Sequence, residues 1–323
     1  MKHLINKLLI VLVLFGFFSC KNNSLDPNST SDNEFIKEVI LKGFNNNLDD
    51  EDNLVFQEIE DLNQGAAVFD QSLYNLKINN FDSLYKWGRR ILSVNNDINI
   101  VNDSDSIKNA NVTRTINGVL VILGFRNGVM DSVVKPFREI SLRKLKFKRI
   151  GNFVEARRNW RLYSISLLDG ETTFPQVGTS KVQINKIEFF VNGNLLKTFD
   201  GPDFTNIMLP ARLWAGQGIP ILPKQSQIEI KVYTTSQNSS VDLVTWHWAR
   251  NSFGFHRVPF VLDSQTGSGP YQRIYKKSFN IYNNHLAGVF NGFISASTNE
   301  SLYSNNQSEL ASDLVGIPYR IIR

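Results

Sequence analysis

Ile187-Glu188-Phe189-Phe190-Val191-Asn192-Gly193-Asn194 is the stretch on which the reading of the fold turns. Ile187, Phe189 and Val191 fall on alternate positions, the period of a strand with one buried face. Asn192-Gly193 follows at once. Such a pair reverses the chain between antiparallel strands, because Asn and Gly tolerate the positive φ that both central residues of the turn require. A hairpin is therefore expected here. Working towards the C-terminus, Ile228, Ile230 and Val232 repeat the alternation against Glu229 and Lys231. Val241–Ala249, His256–Leu262, Tyr271–Tyr282, Leu286–Ala296 and Ile317–Ile322 are further strand candidates. Short strands at close spacing, with turn residues between them, predict an all-β sandwich over residues 181–323.

Working towards the N-terminus, residues 171–180 carry the Gly, Pro and Thr content of a linker. Before them, Val112–Gly124, Val133–Ile150 and Trp160–Leu168 read as strands. In the second, Ile140 and Leu142 are even-numbered while Leu145 and Phe147 are odd-numbered, which predicts a bulge near Arg143-Lys144. Earlier still the spacing is helical. Phe35, Ile36, Val39, Ile40 and Phe44 recur at three and four residues, and Ser31 with Glu34 has the form of a capping box. Val55, Ile59, Leu62, Ala66, Phe69 and Leu73 mark a second helix, and Phe81, Leu84, Tyr85, Gly88 and Leu92 a third. The expected architecture is an α+β N-terminal domain over residues 33–170, helices packed on a curved antiparallel sheet, followed by the all-β sandwich.

A chain of 323 residues, 42% hydrophobic and 11% aromatic, has ample material for two packed cores and is not a disordered protein. Its net charge of +5 is unevenly spread. Residues 32–61 are acidic and residues 138–161 basic, with Lys144, Lys146 and Lys148 on alternate positions as candidates for a basic surface.

Catalytic chemistry is hard to find. No G-x-S-x-G occurs, and His247, His256 and His285 are the histidines beyond His3. His247 sits between Trp246 and Trp248 on a strand and reads as a core residue. A His247–His256 pair across a hairpin would give a metal two ligands and no third. Asp49-Asp50-Glu51-Asp52 and Asp103-Ser104-Asp105 lack the Gly and closing Glu of a calcium loop. No metal, cofactor or catalytic residue is expected. Aromatic residues supply the binding candidates instead: Trp214 in a Gly-rich loop, with Tyr271 and Tyr275 as amphipathic surface, while Trp246 and Trp248 read as core.

The first residues carry an address. Lys2 and Lys7 precede an apolar run from Leu8 to Phe18, which ends at Ser19-Cys20. This is the form of a secretory signal, and the run is too short to span a bilayer. Cys20 is the only cysteine in the chain. Leu14-Phe15-Gly16-Phe17-Phe18-Ser19-Cys20 resembles the lipobox of bacterial lipoproteins. That resemblance implies cleavage after residue 19, acyl lipid on Cys20 and a tether over residues 20–32. Lys21 in place of aspartate resembles an outer-membrane address.

Two resemblances of layout follow. Three helices and then long bent strands, with Asn159-Trp160-Arg161-Leu162 on the last, resemble the cone-shaped fold of nuclear transport factor two. Ile187 to Asn194 resembles the immunoglobulin-like modules of bacterial surface proteins. With the lipobox and the lack of a catalytic constellation, the expectation is a non-enzymatic envelope lipoprotein that binds a glycan or an envelope protein, held on a membrane through Cys20 and without a nucleic-acid partner. A structural accessory subunit of an outer-membrane complex is the second expectation, and a small-molecule or enzymatic site inside the N-terminal cone the third.

Overall fold

The computed structural model describes residues 31–42, 83–153, 156–211, 218–251, 254–285 and 287–322. Three long strands lead: β1 (Ser83–Ser104), β2 (Ile107–Arg126) and β3 (Val129–Arg149), paired antiparallel in chain order. Then come β4 (Trp160–Ser166), β5 (Leu168–Phe174), β6 (Val182–Val191), β7 (Asn194–Asp200), β8 (Met208–Pro210) and β9 (Ile221–Pro223). The rest are β10 (Gln227–Ser236), β11 (Leu243–Asn251), β12 (Gly254–Pro259), β13 (Val261–Thr266), β14 (Tyr271–Asn280), β15 (Gly288–Ser297) and β16 (Ser312–Ile322). Among the described residues helix is confined to α1 (Asp32–Lys42), the single turns α2 (Ala156–Asn159) and α3 (Asn299–Tyr303), and a 3-10 turn at Phe204–Asn206.

The strands make two sheets. The large one runs β1-β2-β3-β5-β16-β15-β11-β12, with β4 on β3 beside β8, and β9 parallel to β16. The small one runs β13-β14-β10-β6-β7. They pack face to face in a sandwich-like arrangement. Phe189, Phe199 and Val232 of the small sheet meet Trp246, Ile317 and Tyr319 of the large one, and the Trp246 ring stands edge-on to Phe189 at 6.1 Å. Gly292 makes this close packing possible, because a Cβ there would collide with the Trp246 ring. Phe35, Ile36, Val39 and Ile40 of α1 join the same core. A second cluster forms where β1–β3 curl over the other face of the large sheet, joining Trp87, Leu120 and Phe137 to Leu243 and Leu302.

Local signals were obeyed where they were strong. Asn192 and Gly193 take φ of 50° and 81° between β6 and β7, as the hairpin requires. Ser31 and Glu34 cap α1 reciprocally: the Glu34 amide donates to Ser31 Oγ at 3.2 Å, and the Ser31 amide to Glu34 Oε2 at 3.0 Å.

The α+β expectation is corrected. The described chain is nearly all strand, α1 is its one helix of seven residues or more, and no helical layer covers a curved sheet. The cone-shaped fold falls with it. The second expected helix lies outside the described residues. The third is the strand β1. Its inward set changes from Trp87 and Ile91 to Ile98 and Ile100 across a bulge at Ile91/Ser93, and the broken alternation imitates helical spacing. The bulge expected at Arg143-Lys144 is absent, since β2 and β3 pair without a shift along their length. The buried face of β3 is odd-numbered throughout and includes Glu139, Ser141 and Arg143, while Ile140 and Leu142 lie on the other face. Residues 171–174, the start of the expected linker, belong to β5 between β3 and β16, so strands from both expected domains share one sheet.

Candidate functional site: an acidic cleft between the sheets

β5 exposes what the small sheet leaves uncovered. Asp169, Glu171 and Thr173 line one face of it, and the register partners of Asp169 and Glu171 are Val315 and Asp313 on β16 and Leu142 and Ile140 on β3. On this face the inter-sheet core ends in a cleft of about 390 Å³, with Gln183, Pro202 and Asp203 along its other wall. That volume lies within the usual range for a small-ligand site.

Its carboxyl groups are held in place individually. Glu171 Oε2 accepts from the Thr179 hydroxyl at 2.6 Å and from the Thr179 amide at 3.0 Å. Asp203 accepts from Thr205 Oγ1 at 2.7 Å and from Asn206 Nδ2 at 2.6 Å. Asp313, buried at the back, accepts from the Ile184 amide at 2.6 Å and its neighbour Leu314's at 2.9 Å, tying β6 to β16. Burial raises the Asp313 carboxyl well above the usual range, and the Asp169 and Glu171 charges raise it further. Asp169 is pushed up to about 6, by burial first and then by Asp203 and Glu171, against the Phe204 amide that lowers it. A carboxyl titrating there can accept or donate a hydrogen bond near neutral pH. Perturbed groups in a cleft mark functional sites. Among the described residues no three His, Asp or Glu side chains are arranged to hold a metal ion.

A second cavity lies beneath the β1–β3 curl. It is lined by Trp87, Phe137, Phe293 and several serines, but its volume is about 40 Å³, room for a few waters at most. The Arg89–Glu139 ion pair, at 2.8 Å, crosses it. His247 lies stacked on Phe293 with centroids 4.1 Å apart, its Nε2 2.7 Å from Thr245 Oγ1. This polar seam is packed shut.

The expected site residues do not converge on the cleft. Trp214 and Cys20 lie outside the described residues. Tyr275 is buried between the sheets and takes no part in a surface. Its hydroxyl accepts from the Asp242 amide at 3.2 Å, and burial drives its pKa upward. Asp242 in turn holds Arg273 at 2.6 Å, both side chains wholly buried. Tyr271 is half-buried beneath the Arg273 guanidinium, 5.0 Å from its ring centre. Lys144, Lys146 and Lys148 do share the outer face of β3. They meet Asn206 at 2.8 Å, Asp103 at 3.9 Å and the Tyr163 ring at 5.5 Å. Trp246 and His247 are core residues, as expected. Asp169 and Glu171 were missed because the sequence from Asp169-Gly170 onward has the Gly, Pro and Thr content of a linker, whereas it begins in β5. The signal that could have found them is the alternation of Asp169, Glu171 and Thr173.

The sequence matches no protein-family model and no curated protein. Among solved structures it is similar to a Niemann-Pick type C2 protein from Japanese carpenter ant, at 12% identity and a TM-score of 0.26, over 45% of this chain and 96% of that one. It is also similar to the GH31 alpha-xylosidase from Xanthomonas citri, at 5% identity and a TM-score of 0.18, over 68% of this chain and 32% of that one. Likenesses this weak carry no argument about fold or function.

Proposed function

We propose that the protein is a non-enzymatic envelope lipoprotein, anchored to an outer membrane through Cys20, whose immunoglobulin-like two-sheet body binds a glycan in the acidic cleft. The cleft itself is the observation that carries this reading. Glu171, Asp203 and Asp169 present acceptors fixed by their own hydrogen bonds or poised to share a proton, which suits hydroxyl groups. Ile140, Leu142 and Pro202 supply an apolar wall for the carbon face of a sugar ring. The carboxylates favour a sugar that also bears an amino group. Dedicated acceptors with an apolar wall are the usual make-up of a selective small-ligand site.

The test is a glycan-binding screen with the mature chain beside Asp169→Asn, Gln183→Ala and Trp214→Ala. Binding lost in the first two and kept in the third supports the cleft. Binding lost only with Trp214→Ala moves the site to that loop, and no binding to any glycan sinks the reading. Cleavage of a bound glycan, abolished by Asp169→Asn, would instead favour a hydrolase with Asp169 as general acid.

A further inference from the structure

One end of the large sheet sets exposed apolar side chains among cations. Ile150, Phe153 and Tyr163 are 53%, 48% and 45% exposed there, three large apolar side chains where β3 hands over to β4. Cations surround them. The Arg158 guanidinium lies 4.0 Å from the centre of the Phe153 ring. Lys148 reaches over Tyr163 and stands opposite Arg161 in the β3–β4 register. Lys144 and Lys146 extend the row along β3, opposed by Asp103, which pairs with Lys146. Rings and aliphatic stems capped by cations are the make-up of surfaces that sit at the headgroup level of a bilayer.

α1, the first described element, lies at this same end. Asn33 near the start of α1 accepts from Lys108 Nζ at 2.6 Å, and Lys108 lies over the Trp160 ring at the head of β4. Lys108 pairs with Phe147 in register, next to Lys148. α1 also packs on α2, just beyond Phe153. The stretch from Cys20 to Ser31 can reach at most about 40 Å even fully extended. An anchor on Cys20 would therefore hold this end, rather than the far end of strands some 20 residues long, nearest the bilayer.

We infer that the Ile150–Phe153–Tyr163 end, with Lys148, Arg158 and Arg161, rests against an anionic phospholipid surface. The inference depends on the lipoprotein reading of Cys20 for its geometry, but the face can be tested without the lipid. The mature chain from Cys20, made without its signal segment so that it stays unacylated, is mixed with phosphatidylcholine vesicles with or without phosphatidylglycerol. Binding is expected only to the anionic vesicles and should weaken steeply with salt. Lys148→Glu with Arg158→Glu should weaken it by about tenfold or more, given two charges reversed at the surface. Phe153→Ser should weaken it less, and Lys197→Glu on β7 should leave it unchanged. Equal binding to neutral vesicles, no binding to either, or an equal loss with Lys197→Glu would overturn the inference. The mass of the Cys20 peptide from envelope-extracted protein decides separately whether the anchor reading stands.

Discussion

The two faces of β15 and β16 are filled differently, one by apolar side chains alone and the other by a mixture of apolar and polar ones. Towards the small sheet they present Ile294, Ala296, Val315, Ile317 and Tyr319, beside Trp246 of β11, in an apolar layer. Towards the β1–β3 curl they present Phe293, Ser295, Ser297, Leu314 and Ser312, which meet His247 and the Arg89–Glu139 pair. Successive residues of a strand point to opposite faces, so one run of sequence serves both interiors. The first is held by buried apolar area, which tolerates small shifts. The second sets these polar groups beside the apolar cluster of Trp87, Phe137 and Leu302, so ion pairing and apolar burial together close the curl. The apolar face also stops short at β5, and there the carboxylates of the cleft stand at the margin of the core.

Three changes test this contrast. Trp246→Ala should cost the most, about 4 kcal/mol in urea unfolding, through lost burial and the cavity left between the sheets. A loss below about 1 kcal/mol would mean that the apolar face is not the main source of cohesion. Glu139→Ala should cost about 3 kcal/mol, because it leaves the largely buried Arg89, 13% exposed, without its countercharge. Arg89→Met with Glu139→Leu should recover most of that, and failure to recover would show that the seam needs its charges. Asp169→Asn should stabilise the protein by on the order of 2 kcal/mol at pH 7.5 while removing ligand binding. The folded carboxyl titrates near 6 and the unfolded one near 3.8, so the folded state holds the proton more tightly. Wild-type stability should therefore rise as the pH falls from above 6 towards 4, and the variant should flatten that slope. Asp313 acts with the same sign, so part of the slope should survive in the variant. Melting temperature measured across that range checks both statements.

What could be read from sequence was local. Asn192-Gly193, the Ser31/Glu34 cap, and the strands that include Ile228–Val232 and Trp246 all carry their signals within a few residues. β1 could not be read in that way, because its bulges break the alternation by which strands are recognised. Tyr275 reads from sequence as amphipathic surface, yet it lies in the inter-sheet core, on the same face of β14 as Arg273. That arginine is in fact buried against Asp242. The cleft was hidden for another reason. Asp169, Glu171, Asp203 and Asp313 come from three separate segments, and only the pairing of β5 with β16 and the turn after β7 bring them together.

The ends of the large sheet bear on how the protein behaves when crowded. β12 and β1 end the strand order, and each could recruit a strand from another molecule. Arg257 of β12 donates to the Trp87 carbonyl at 3.0 Å and lies flat against the Trp87 ring, clasping one end of the sheet to the other. Further along β1 no described strand pairs with the edge, and Val94 and Val101 are exposed. Yet Asp97 and Asp103 interrupt that stretch, and charges along a free strand resist edge-to-edge growth. For strands this long, such charges work against one molecule serving as a template for the next.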